Sequence, residues 1–166
     1  METVIKQSRF TERMVKLNGL RFNKWIFEPG MLFSAGMKWW EEIGRRGQRH
    51  NGLDLRSYEA DDGTVKALDP GTKVPIIYEG KIVSSIKDFL GHTLFAAHEI
   101  YQEDSQLFTI YGHVLQTPDL PFDRLLNEGT EIAVLAGSSN RNVPAHLHIS
   151  AALIPMAIPA EALTWK

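Results

Sequence analysis

The chain has 166 residues, 43% of them apolar, which supports one domain with a real core rather than two. Eighteen lysines and arginines stand against 20 aspartates and glutamates, a balance that excludes a broadly basic nucleic-acid surface, while ordinary apolar content excludes wholesale disorder. There is no cysteine, so disulfides, thiolate zinc sites, iron–sulfur clusters and cysteine nucleophiles are excluded, and any metal must be held by His, Asp or Glu.

Residues 2–17 mix charges with Val4, Ile5, Phe10, Met14 and Leu17, which predicts a short helix. Residues 19–36 carry Gly19, Pro29, Gly30 and Gly36 among aromatic residues and read as loop or short strand. Trp39, Trp40 and Ile43 are spaced for a helical turn or two between Lys38 and Arg46. The aromatic segment Phe27–Trp40 is a candidate lid, although the plainer reading of Trp39-Trp40 is packing.

The remainder reads as strands. Val74–Tyr78 and Lys81–Ile86 are separated by Glu79-Gly80, a turn signal. His92–His98, Leu107–Tyr111, Glu131–Ala136 and Ala145–Leu153 follow, with the polar loop 137–142 before the last. Pro155 and Pro159 are expected to end regular pairing. Short strands with frequent turns predict a mainly β (α+β) protein, antiparallel, with minor helix in the N-terminal segment. Residues 1–45 are expected to form an N-terminal extension packed on a β domain of residues 46–166. No run approaches the roughly 20 apolar residues of a membrane span. Met1–Arg9 lacks the basic start and apolar run of a secretory signal, so the chain taken alone reads as soluble and cytoplasmic. Oligomeric state is not legible.

Several signatures are ruled out. Gly80-Lys81 is not part of a phosphate loop, and neither G-x-G-x-x-G nor G-x-S-x-G occurs. His98-Glu99 opens like a zinc-protease helix, but Gln102 stands where the second histidine is required. His92 and His98 are expected to be structural or solvent-facing.

Three clusters remain. In Ala145-His146-Leu147-His148, a strand turns both imidazoles to one face and Leu147 to the other. Two adjacent imidazoles are costly to bury unless a cation uses them. His50 and Asp54, with Gly52 between them for a tight turn, add an imidazole and a carboxylate that suit zinc. With one histidine of the last cluster they make two His and one Asp. Three protein ligands leave a position for water, as in catalytic zinc sites. Tyr111-Gly112-His113 supplies a further imidazole. Each motif alone has a bland reading: a chance H-x-H, a surface ion pair, a polar residue at a strand end. Spacing does not say which of His146 and His148 is the ligand.

His-x-Gly-x-Asp, Tyr-x-His and a closing His-Leu-His together resemble the lysostaphin-type zinc endopeptidases, which cut peptide bridges of bacterial cell walls. The resemblance runs from Arg49 to Ser150 and includes Gly71–Val74, Glu79–Val83 and Glu128–Gly137. It implies two packed antiparallel sheets with a groove, zinc as cofactor on His50, Asp54 and His148, and His113 and His146 as catalytic histidines beside the metal. It implies a peptide or peptidoglycan substrate, and hence an extracytoplasmic place of action. The chain departs from the family pattern at the 137–140 loop, which lacks a second glycine, and at Val114 in place of leucine. Residues 1–45 match no part of it. The competing expectations are a non-catalytic binding or regulatory module of the same fold, and an intracellular hydrolase with another substrate. Retention of all five site residues favours the enzyme.

Overall fold

A computed structural model describes residues 5–40, 44–138 and 143–164. Among the described residues one α-helix, α1 (Phe10–Asn18), precedes ten strands. It is shorter than the 2–17 pattern suggests and buries only Phe10 and Met14. Gly19, in left-handed conformation at φ 60°, closes it by donating to the Lys16 carbonyl. The strands are β1 (Lys24–Ile26), β2 (Leu53–Leu55), β3 (Ser57–Glu59), β4 (Val65–Ala67), β5 (Lys73–Pro75), β6 (Lys81–Lys87), β7 (His92–Gln102), β8 (Ser105–Gln116), β9 (Glu131–Leu135) and β10 (Leu147–Pro155).

Two antiparallel sheets result. The small one runs β1-β3-β4. The large one runs β2-β10-β8-β7-β6, with β9 joined to the far end of β8 and β5 to β9. The core lies between α1, the small sheet and one face of the large sheet, and includes Met14, Tyr58, Val74, Ile82, Leu94, Tyr111, Leu135 and Leu147. The other face of the large sheet carries a second cluster of Phe95, Phe108 and Leu163. Leu94 and Phe95 fall on opposite faces because strand side chains alternate.

Two readings of the sequence hold and two change. Glu79-Gly80 separates β5 from β6 as expected, and each pairs elsewhere: β5 with β9, and β6 with β7. Pro155 is the last paired residue of β10, opposite Ser105, so pairing ends there as expected. The short strands β2, β3 and β4 lie where no strand is predicted. Residues 38–40 and 44–46 are not helical, and residues 41–43, with Ile43, lie outside the described residues.

His98 is fully buried and structural. Its Nδ1 is 2.9 Å from the Glu79 carbonyl and its Nε2 2.7 Å from Thr109 Oγ1. Thr109 Oγ1 is 2.8 Å from Tyr111 OH, which accepts from Ile77 N. A neutral imidazole with its proton on Nδ1 satisfies this whole chain. Burial accordingly holds the His98 pKa below its ordinary value.

Candidate metal centre

The pairing of β2 with β10 sets Asp54 opposite His148, so residues 94 positions apart in sequence meet. The preceding loop brings in His50, whose backbone bonds Ala35 and Ser34. His50 Nε2, Asp54 Oδ1 and His148 Nδ1 form a triangle with three 3.0 Å sides. All three side chains are at least 95% buried.

The surroundings decide where the protons are. His50 Nδ1 faces the Leu32 carbonyl at 3.0 Å, which can only accept, so Nδ1 carries the proton and Nε2 a lone pair. Ser150 Oγ donates to the Asn51 carbonyl and lies 2.9 Å from His148 Nε2. Ser150 therefore accepts from His148, whose Nδ1 is left with the lone pair. Asp54 Oδ1, a carboxylate oxygen, accepts as well. Burial lowers His148, against the pull of Asp54. Three acceptors thus point at one another inside the protein, which is unfavourable unless a cation lies among them. Ligands 2.0–2.1 Å from one ion at tetrahedral angles lie about 3.3 Å apart. The observed spacing and the His₂Asp donor set fit zinc.

Gly52 is required here by contact rather than by turning. A Cβ at this position would stand 2.3 Å from the Ile149 carbonyl oxygen, 2.6 Å from Ser150 Oγ and 2.8 Å from His148 Nε2. The absent side chain lets the loop press against β10.

His146 precedes β10 and shares the site. Its Nδ1 faces the Pro144 carbonyl at 2.8 Å, which leaves Nε2 as an acceptor 3.7 Å from Asp54 Oδ1. Burial, opposed in part by Asp54, brings its pKa down to about 4. His113 lies at a bulge where β8 uses four residues, Tyr111 to Val114, against three on β7, His92 to Leu94, and it adopts φ 66°. A left-handed conformation costs a non-glycine residue about 1 kcal/mol. The bulge places the His113 ring 4.7 Å from that of His146.

Asp88, which sequence reasoning missed, offsets that cost. Its Oδ1 accepts from Leu90 N and Gly91 N, and its Oδ2 from Thr93 Oγ1 and His113 N. Oδ2 is also 3.2 Å from His113 Nδ1, without hydrogen-bond geometry. Burial opposes the charge, but His113 holds the Asp88 carboxyl below its usual range. The available signal was an aspartate three residues before a glycine between two strands, a turn signature. Trp39 and Arg46 were also missed as site residues. Trp39 Nε1 donates to Asp54 Oδ2 at 2.8 Å, and Arg46 Nη2 lies 3.3 Å from the same oxygen. Trp40 stacks on His146 with centroids 5.8 Å apart. The segment expected as a lid therefore lies against the site.

All five sequence-derived residues meet at a groove of 640 Å³ whose wall includes Trp40, Arg49, Phe89 and Val143. His92 is apart from it, beside Ser85. Among the described residues, His50, Asp54 and His148 are the group able to hold a metal.

No family model and no curated protein matches the sequence. Solved structures do match. The catalytic domain of the antimicrobial peptidase lysostaphin from Staphylococcus simulans is similar over 95% of this chain and 94% of that one, with a TM-score of 0.53 and 16% identity. LytU is similar over 98% and 83%, with a TM-score of 0.52 and 16% identity. The chain has the lysostaphin-type peptidase fold. A zinc-containing peptidase from Vibrio cholerae matches over 88% of this lysostaphin-like chain, which spans 41% of that longer protein, at a TM-score of 0.48 and 19% identity. No helix among the described residues is long and apolar enough to cross a membrane.

Proposed function

We propose that the protein is a zinc-dependent metalloendopeptidase that cuts peptide bonds in peptidoglycan cross-bridges or similar Gly/Ala-rich peptides. The observation that carries this reading is the buried triangle of three acceptors at the floor of an open groove, flanked by two more imidazoles. The fold shared with the lysostaphin catalytic domain supports it. A wall substrate places the action outside the cytoplasm.

His50 Nε2, Asp54 Oδ1 and His148 Nδ1 would hold the metal. The chemistry that zinc supplies when bound is Lewis acidity toward the scissile carbonyl and acidification of water. His146 presents the bare Nε2 beside Asp54, positioned to accept a proton from the attacking water. Its Nδ1 bond to the Pro144 carbonyl fixes that tautomer. His113, adjacent to His146 and backed by the Asp88 carboxylate, suits stabilisation of the oxyanion and delivery of a proton to the leaving amine. Trp40 packs on the His146 ring and Phe89 edge-on against the His113 ring.

The test is hydrolysis of peptidoglycan and of glycine-rich peptides by zinc-loaded protein, followed as release of new amino termini. His146→Ala is expected to keep zinc and to lose about 100- to 10,000-fold in rate. His148→Ala is expected to lose zinc itself. Full hydrolysis by His146→Ala overturns the role of His146, and equal zinc content in His148→Ala overturns the ligand set.

A further inference from the structure

We infer that Trp39 and Arg46 are positioning residues of the metal centre, acting through the outer oxygen of Asp54. This rests on the metal-binding reading above. The two oxygens of Asp54 have separate surroundings. Oδ1 faces His50, His148 and, at 3.7 Å, His146. Oδ2 receives the Trp39 indole N–H at 2.8 Å and the Arg46 guanidinium at 3.3 Å. With two donors on Oδ2, the carboxylate offers one oxygen to a cation and cannot rotate to offer both. Arg46 also offsets the negative charge of the site, so the carboxylate gives less charge to the metal and leaves it a stronger Lewis acid.

The segment is built to deliver these donors. Arg46 Nη2 also binds the Gly30 carbonyl at 3.0 Å, and its Nε the Met37 carbonyl at 3.3 Å. These bonds tie both arms of the loop to the group that touches Asp54. A Cβ at Gly30 would lie 2.7 Å from Trp39 N, so only glycine lets the 29–31 turn pack under Trp39. The Arg46 guanidinium sits 5.0 Å from the Trp40 ring and that of Arg56 lies 5.8 Å from the Trp39 ring, fixing both indoles. The loop lies outside the sequence stretch that resembles the zinc endopeptidases, yet it supplies both donors to Asp54 Oδ2. Packing alone would not aim the N–H at Oδ2. Loop docking and metal binding are therefore coupled: each favours the Asp54 orientation that the other needs.

The test is zinc affinity of Trp39→Phe, which removes the N–H and keeps an aromatic ring, measured by competition with a chromophoric chelator. A loss of about 10- to 100-fold is expected, the range for removal of a ligand's supporting partner. A purely structural Trp39 would lower the melting temperature and leave zinc affinity unchanged, and that result overturns the inference. Indole N–H resonances of the ¹⁵N-labelled wild type supply a second measurement that needs no variant. One indole resonance, slow to exchange with solvent, is expected to shift on zinc addition; titration with none shifting overturns the inference. Failure of the wild type to bind zinc overturns the metal-centre reading itself. Zinc binding by the wild type with no change in Trp39→Phe overturns this inference alone.

Discussion

Substituting Gly52 by alanine is expected to damage stability and metal binding together. The added Cβ would stand 2.3 Å from the Ile149 carbonyl oxygen, and carbon atoms of this kind are essentially never found closer than 3.0 Å to a neighbour. The β2–β10 pair, joined at Leu53 and Ile149, must therefore open by about 0.7 Å or distort at that point. Overpacking on this scale costs about 1–3 kcal/mol. For a chain of this size that lowers the melting temperature by about 2–12 °C. The same methyl would press on Ser150 Oγ and His148 Nε2, whose 2.9 Å hydrogen bond sets the His148 tautomer. Zinc affinity is expected to fall about 10- to 100-fold. Thermal unfolding of the metal-free protein by circular dichroism reads the first effect, and a competition titration the second. A Gly52→Ala protein with the wild-type melting temperature and zinc affinity would refute the contact argument.

Other consequences are independent of Gly52. Zinc at 100 times its dissociation constant should stabilise the fold by about 2.7 kcal/mol, seen as a melting temperature about 5–11 °C higher, which a chelator reverses. Asp88→Asn keeps the turn's shape but removes the charge beside His113; hydrolysis should fall about 100-fold with zinc content intact, and unchanged turnover would count against the pairing. Buried His98 stays neutral in the fold, while the unfolded chain takes up a proton below about pH 6.5. Stability should therefore fall as pH drops from about 6.5 toward the lowered folded value, and the slope of unfolding free energy between pH 7 and 5 should be shallower in His98→Asn. An equal slope in the variant would show that the buried network does not exclude the proton.

Much of the site was legible because its chemistry is concentrated in short motifs. His-x-Gly-x-Asp and His-Leu-His each fix local spacing, and Leu147 in the core turns its two neighbours to the same side. The reason for Gly52 was misread, since a close approach across strands leaves no local signature distinct from a turn. Asp88, Trp39 and Arg46 were missed because their roles depend on what lies opposite in space: a turn aspartate becomes the partner of His113 only after the β8 bulge forms. The long strands β7, β8 and β10 were visible in their apolar runs. β2, β3 and β4 are three residues each and are held by pairing partners rather than by their own pattern. The Glu79-Gly80 turn was read correctly as a break, but pairing across it is decided by β9, about 50 residues further on.

The central claim is that His50, Asp54 and His148 share one divalent cation. Anomalous diffraction from crystals of the zinc-loaded protein, collected on both sides of the zinc edge, addresses it directly. The account predicts one strong peak bonded to His50 Nε2, Asp54 Oδ1 and His148 Nδ1. A map with no peak there, or with zinc held only by other residues, would contradict it.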